Sequence, residues 1–123
     1  MRVLICGGRF YTNKQRMCDV VSALPQETTI VTGGARGADN LAEQCAYNAG
    51  MAYETHYPNW HKHGKAAGPI RNQEMIDSGI DKVIAFPGGY GTADLRRRAR
   101  AAGVPVEEID APTHMNEKEF WNG

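Results

Sequence analysis

Apolar positions along this chain follow two rhythms, short continuous runs and longer stretches with an apolar residue every three or four positions. Arg2–Cys6, Thr28–Thr32, Ala52–Tyr57, Lys82–Phe86 and Val104–Ile109 read as strands. The third is weak, the fourth is apolar throughout and so expected at the centre of a sheet, and the fifth is edge-like. Between them Met17, Val20, Val21 and Leu24 fall at helical spacing, with Asn13 as N-cap and Pro25 as stop. Ala38, Leu41, Ala42, Cys45, Ala46 and Ala49 make the clearest apolar stripe, closed by Gly50, and their small side chains predict close packing on the sheet. Pro69 starts a short helix carrying Met75 and Ile76, which Ser78-Gly79 ends. Thr92 is expected to cap a last helix with Leu95, Ala99 and Ala102 inward and Gly103 at its end. Pro58–Gly68 has no apolar period and reads as an exposed loop. Strands alternating with helices predict a parallel sheet with right-handed crossovers. The fold class is therefore α/β, a single Rossmann-like three-layer domain with a mostly parallel sheet of about five strands, over residues 1–109. Residues 110–123 form a polar extension, with Pro112 and a candidate helix ending in Phe120-Trp121, packed on the domain or trailing from it.

The 123 residues suit one domain. Fourteen basic and 14 acidic residues cancel to a formal net charge of +0, so no global field draws the chain to nucleic acid or anionic membrane. Any anion site must be local. Cys6, Cys18 and Cys45 are odd in number, widely spaced and without a CxxC, and read as small apolar residues of a reduced protein rather than a disulfide or zinc set. Met1 leads directly into a strand, and no stretch reaches membrane-spanning length, so a soluble cytoplasmic protein is expected.

Three strands end in glycine-rich turns that precede helices: Gly7-Gly8-Arg9, Gly33-Gly34-Ala35-Arg36-Gly37 and Pro87-Gly88-Gly89-Tyr90-Gly91-Thr92. In a parallel sheet such turns share the carboxyl edge, where ligands bind. Glycine lets backbone N–H groups approach an anion, and a helix N-terminus adds positive potential. The second turn lacks the GK[ST] ending of a P-loop and does not match GxGxxG, yet its amides with Arg36 can form an anion nest. It can equally be a plain tight turn. In the third, the amides of Gly89, Gly91 and Thr92 and the Thr92 hydroxyl can converge on phosphate oxygens. A phosphate-bearing ligand is the chemistry these turns point to.

Together with Trp60–His63–Gly64–Lys65, Ala67-Gly68-Pro69-Ile70-Arg71-Asn72-Gln73-Glu74-Met75 and Ala85 to Asp94, these turns make the chain similar to the YspA, or YpsA-related, branch of the SLOG superfamily, over roughly Arg2 to Val106. That superfamily also holds the LOG phosphoribohydrolases, the DNA-processing protein DprA and ligand-sensing domains. The resemblance implies a Rossmannoid fold that binds nucleotides or NAD-derived nucleotides, and it suggests a homo-oligomer, for which Tyr47, Tyr53, Phe120 or Trp121 offer contacts. The ligand-binding set expected from the turns and the resemblance is Gly8, Arg9, Gly33, Gly34, Arg36, Gly37, Asp39, Trp60, Lys65, Arg71, Asn72, Gly88, Gly89, Gly91 and Thr92, with no cofactor. LOG enzymes carry PGGxGTxxE, whose glutamate helps break an N-glycosidic bond. Here that position is Leu95, and an oxocarbenium-like transition state needs a negative charge that leucine lacks. Asp94 lies one position early, about 100° around the helix. No catalytic residue is assigned.

Other residues admit two readings. Trp60 either stacks on a base or anchors its loop, and Arg71 either reaches a ligand oxygen or pairs with Glu74. Asp39 either accepts from a ribose hydroxyl or caps its own turn; with Glu43 one turn on, the pair does not by itself argue acid–base catalysis. His56, His61 and His63 lack the paired cysteines or carboxylates of a metal site. Arg96, Arg97, Arg98 and Arg100 read as a mostly solvated face, or else a nucleic-acid or subunit contact. The leading function is a non-catalytic nucleotide binder, a sensor or sequestering protein. An N-glycosidase of nucleoside monophosphates and a DNA-binding module are the alternatives.

Overall fold

The computed structural model describes residues 1–110. The expected helix ending in Phe120-Trp121 lies outside them. Strand β1 (Arg2–Cys6) leads through α1 (Lys14–Ser22) to β2 (Thr29–Thr32), then α2 (Ala38–Asn48) and β3 (Ala52–Thr55). Helix α3 (Trp60–His63), a 3-10 turn (Gly64–Ala66) and α4 (Ala67–Asp77) return the chain to β4 (Lys82–Ala85), and α5 (Tyr90–Ala101) precedes β5 (Val106–Glu108). All pairs are parallel and the order is β3-β2-β1-β4-β5. The centre of the sheet is β1, with β4 interior beside it.

Alternation along the strands builds the three layers. Val3, Ile5, Ile30 and Ile84 face α1 and α2, where Met17, Val21, Ala42 and Ala46 meet them. Leu4, Cys6, Val31 and Val83 face the other way, against Met75 and Ile76 of α4 and Leu95 and Ala99 of α5. The chain thus leaves β1 towards one face and β4 towards the other, and such a reversal opens a crevice at the strands' carboxyl ends. There the two glycine turns touch backbone to backbone. Gly8 N–H donates to Pro87 O at 2.8 Å, and a Cβ on Gly88 would lie 2.7 Å from Gly8 N.

Four expectations are corrected. Pro58–Gly68 is largely helical, because Asn59 Oδ1 accepts from Lys62 N at 3.0 Å and starts a helix too short to show a period. Helix α5 starts at Tyr90 with Gly89 at its N-cap, so Thr92 sits buried in the first turn and is no cap. Arg96 is buried rather than solvated, its Nη1 2.5 Å from Glu108. Cys18 and Cys45 are joined by a disulfide that ties α1 to α2 with their Cα atoms 5.1 Å apart, leaving Cys6 as a buried thiol. With that bridge, cysteine usage no longer argues for a reducing compartment. Its 27-residue separation implies about 2–4 kcal/mol of stabilisation. Urea unfolding of Cys18→Ser/Cys45→Ser against the oxidised protein is expected to show that loss; equal midpoints would mean the bridge does not form.

Candidate functional site

At the carboxyl edge a cleft of about 1200 Å³ opens between the turns after β1 and β2, the amino-terminal part of α4 and that of α5. Of the expected set, Gly8, Arg9, Gly33, Asp39, Trp60, Arg71, Asn72, Gly89, Gly91 and Thr92 line it. Gly34, Arg36, Gly37, Lys65 and Gly88 do not. Gly34 N–H donates to Thr32 Oγ1 at 3.2 Å, and Gly37 and Gly88 are packed against the β1 turn beneath the cleft.

The lining groups divide by whether the fold already uses them. At the amino end of α5, Tyr90, Gly91 and Thr92 have no intrahelical acceptor for their N–H groups, and Gly89 offers no side-chain cap. Gly91 lies open, with nothing within 4 Å of the position a Cβ would take. Arg9 makes no hydrogen bond or ion pair among the described residues. Among the described residues these groups are unspent.

The β2 turn differs. The Asp39 carboxylate accepts from Gly33 N at 3.2 Å and Ala35 N at 3.1 Å, filling from within the nest the sequence offered to an anion. Arg71 donates to Gly33 O at 2.5 Å, His56 O at 3.3 Å and Asn72 Oδ1 at 3.0 Å. Asn72 Nδ2 in turn reaches Gly91 O at 3.3 Å and Asp94 Oδ2 at 3.0 Å. This chain of bonds ties the ends of β2 and β3 to α5 and fixes the cleft wall. Neither Arg71 nor Asp39 waits for a partner, and Arg71 does not pair with Glu74.

Burial pushes Asp39 up to about 6, against the downward pull of the Ala35 amide, Arg71 and the Gly33 amide, with Glu43 adding to the rise. The folded state therefore holds this proton more tightly than the unfolded chain, whose value is near 3.8. Stability from Asp39 is fully present below that lower value and is lost as pH rises through 6, by about 3 kcal/mol at most. Glu54 acts oppositely: hydrogen bonds from Arg2 and His56 hold it down at about 2, so its stabilisation is lost as pH falls below its ordinary 4.5. Its partial exposure keeps that effect small. Asp39→Asn is expected to flatten the fall in urea midpoint between pH 4 and 6.5; an unaltered slope would assign the fall to another group.

Sequence reasoning missed Phe10 and Tyr90, which also line the cleft, because an isolated exposed aromatic carries no pattern. Arg96, Arg97 and Arg100 reach it as well. Here a signal existed: Thr92, Leu95, Arg96 and Ala99 follow the i, i+3, i+4, i+7 spacing of a buried face. Leu95 is 2 % exposed, as its inward reading expected. Asp94 lines the cleft: burial pushes it up, but hydrogen bonds from Arg98, Asn72 and Arg97 outweigh that and hold it below its ordinary value. His56 is engaged with Glu54 at 2.6 Å. Tyr47 and Tyr53 are exposed, while Phe120 and Trp121 lie outside the described residues. No helix among the described residues is long and apolar enough to cross a membrane.

Comparison with known proteins agrees with this architecture. DNA processing protein A (DprA) of Streptococcus pneumoniae superposes with a TM-score of 0.80 at 18 % identity, covering 92 % of this chain and 51 % of that one. This chain thus spans about half of DprA. The protein TM1055 superposes with a TM-score of 0.65 at 19 % identity, over 85 % of this chain and 71 % of that one. At these identities the likeness is one of fold. The Gene 61 protein of Mycobacterium phage D29 is 38 % identical over 116 residues, 85 % of this chain and 93 % of that protein. The model of the YspA, cpYpsA-related SLOG family matches residues 1–63, and with the glycine turns of β1, β2 and β4 meeting on one edge, the chain belongs to that family.

Proposed function

We propose that the protein binds a phosphate-bearing nucleotide or an NAD/ADP-ribose-derived small molecule in this cleft without cleaving it, as a sensor or sequestering protein. One observation carries the reading: Tyr90, Gly91 and Thr92, whose amides have no acceptor within their helix, line the cleft together with Arg9, at the amino end of a 12-residue helix. A phosphate there accepts several charge-assisted hydrogen bonds, each worth about 1.5–3 kcal/mol. Buried Leu95, where a LOG enzyme has its glutamate, supports binding over turnover. Thermal melting with a panel of nucleotides and cyclic ADP-ribose derivatives tests it. A ligand binding only the folded state at 100 times its Kd adds about 2.7 kcal/mol. No shift with any phosphate ligand at millimolar concentration would overturn the proposal.

Asp94 supports a second reading, N-glycosidic cleavage, since it is an ionised carboxylate in the cleft. Its three donors, Asn72 of α4 and Arg97 and Arg98 of its own helix, however, already occupy it. Chromatography for free base separates the two readings: none is expected, and release abolished by Asp94→Asn would establish catalysis. A nucleic-acid partner has less support, because the chain's charges cancel and Arg97, Arg98 and Arg100 pair with Asp94 and Glu108.

A further inference from the structure

Three large aromatic side chains that line the cleft are exposed among the described residues. Phe10 is 81 % exposed, Tyr90 77 % and Trp60 59 %, and all three line the cleft. A single exposed aromatic needs no explanation, but three around one opening form a patch. They come from different segments. Trp60, on α3, lies over the start of α4, its Cη2 3.7 Å from where a Cβ of Gly68 would stand. Phe10 follows Arg9 on the turn after β1, and Tyr90 is the first residue of α5. The unspent amides and Arg9 belong with Phe10 and Tyr90, while Trp60 tops the α4 wall. The volume, about 1200 Å³, exceeds the roughly 300–1,000 Å³ of ordinary small-molecule pockets.

From this arrangement we infer that the ligand carries two aromatic bases joined through phosphates, one base against Trp60 and the other against Phe10 and Tyr90, with the phosphates at the amino end of α5. The inference rests on the proposed nucleotide-binding function and narrows its ligand class. Charge leaves one place for the phosphates: Arg71 is held by the β2 turn, Arg96 and Arg100 pair with Glu108 and Arg97 with Asp94, whereas Arg9 makes no ion pair among the described residues. Stacking tolerates any base and strengthens binding by roughly 5–150-fold for each base.

Isothermal titration of the full chain with adenosine monophosphate, adenosine diphosphate and a 5′–5′-linked diadenosine diphosphate, and with the guanine equivalents, tests the inference. The diphosphate matches the two-base probe in phosphate number, so the comparison reads the second nucleoside, and the aromatic variants assign its base. The two-base probe is expected to bind about 10-fold or more tightly than the diphosphate. Trp60→Ala and Phe10→Ala should each weaken the two-base probe about 5-fold or more, while only one of them weakens the diphosphate and only the other removes the advantage. Both side chains are exposed, so neither change threatens folding. Equal affinity for the two-base probe and the diphosphate overturns this inference alone. Absence of heat with every probe overturns the nucleotide-binding proposal and this inference with it.

Discussion

Gly91→Asp is expected to weaken binding of a phosphorylated ligand by about 1,000-fold or more while the protein remains folded. The new carboxylate would lie among the amides of Tyr90, Gly91 and Thr92, accept their hydrogen bonds and repel phosphate. Losing two charge-assisted bonds of about 1.5–3 kcal/mol each already corresponds to roughly 10²–10⁴-fold. Folding is spared because the Cβ position meets nothing within 4 Å. An acidic residue in a helix's first turn is moreover favourable by about 0.3–1 kcal/mol. Gly91→Ala is the control, adding a methyl without a charge and binding within a few-fold of the parent. Melting temperature and titration calorimetry on the three proteins decide the matter, and Gly91→Asp binding within 10-fold of the parent would place the phosphate elsewhere.

Gly37→Ala is expected to destabilise the fold by about 4 kcal/mol, a large share of the about 5–15 kcal/mol typical of a domain. Gly37 has φ 72° and ψ −121°, a conformation that a side chain resists, at a cost of about 1–3 kcal/mol. Its Cβ would press on Gly8 O and lie 2.6 Å from the carbonyl carbon and oxygen of Arg9. Those atoms cannot withdraw freely, because Ala38 N–H donates to Gly8 O at 3.1 Å. Forced overpacking adds about 1–3 kcal/mol. Gly64, with φ 55° and ψ −133° but nothing within 4 Å, shares the backbone conformation without the crowding, and Gly64→Ala should cost only the conformational part, about 1–3 kcal/mol. Equal urea midpoints for the two variants would contradict the close approach of the β1 and β2 turns.

What the sequence disclosed and what it concealed follow from the range of the interactions. Strands and helix ends are local. Thr29–Thr32 and Lys82–Ala85 appear as apolar runs, Asn13 caps α1 through its own side chain, and Gly50 and Gly103 stand at positive φ just after helices. The meeting of three glycine turns was legible too, because parallel connectivity puts every strand's end on one edge. Which turn remains open was not. Asp39 closes the β2 turn from within, and only the folded path of residues 33–39 shows its oxygen against Gly33 N and Ala35 N. Arg71 reaches the same turn across 38 residues. The Cys18–Cys45 bridge depends likewise on α1 lying against α2, which residue spacing does not encode.

The central claim is that the amino end of α5, and not the β2 turn, receives the phosphate. Amide proton and nitrogen shifts in a ¹⁵N-labelled sample titrated with adenosine diphosphate test it most directly. Progressive, saturable shifts at Tyr90, Gly91 and Thr92, with Gly33 and Ala35 held in place by Asp39, are the predicted result. Movement of Gly33 and Ala35 while the three α5 amides stay still would contradict the account.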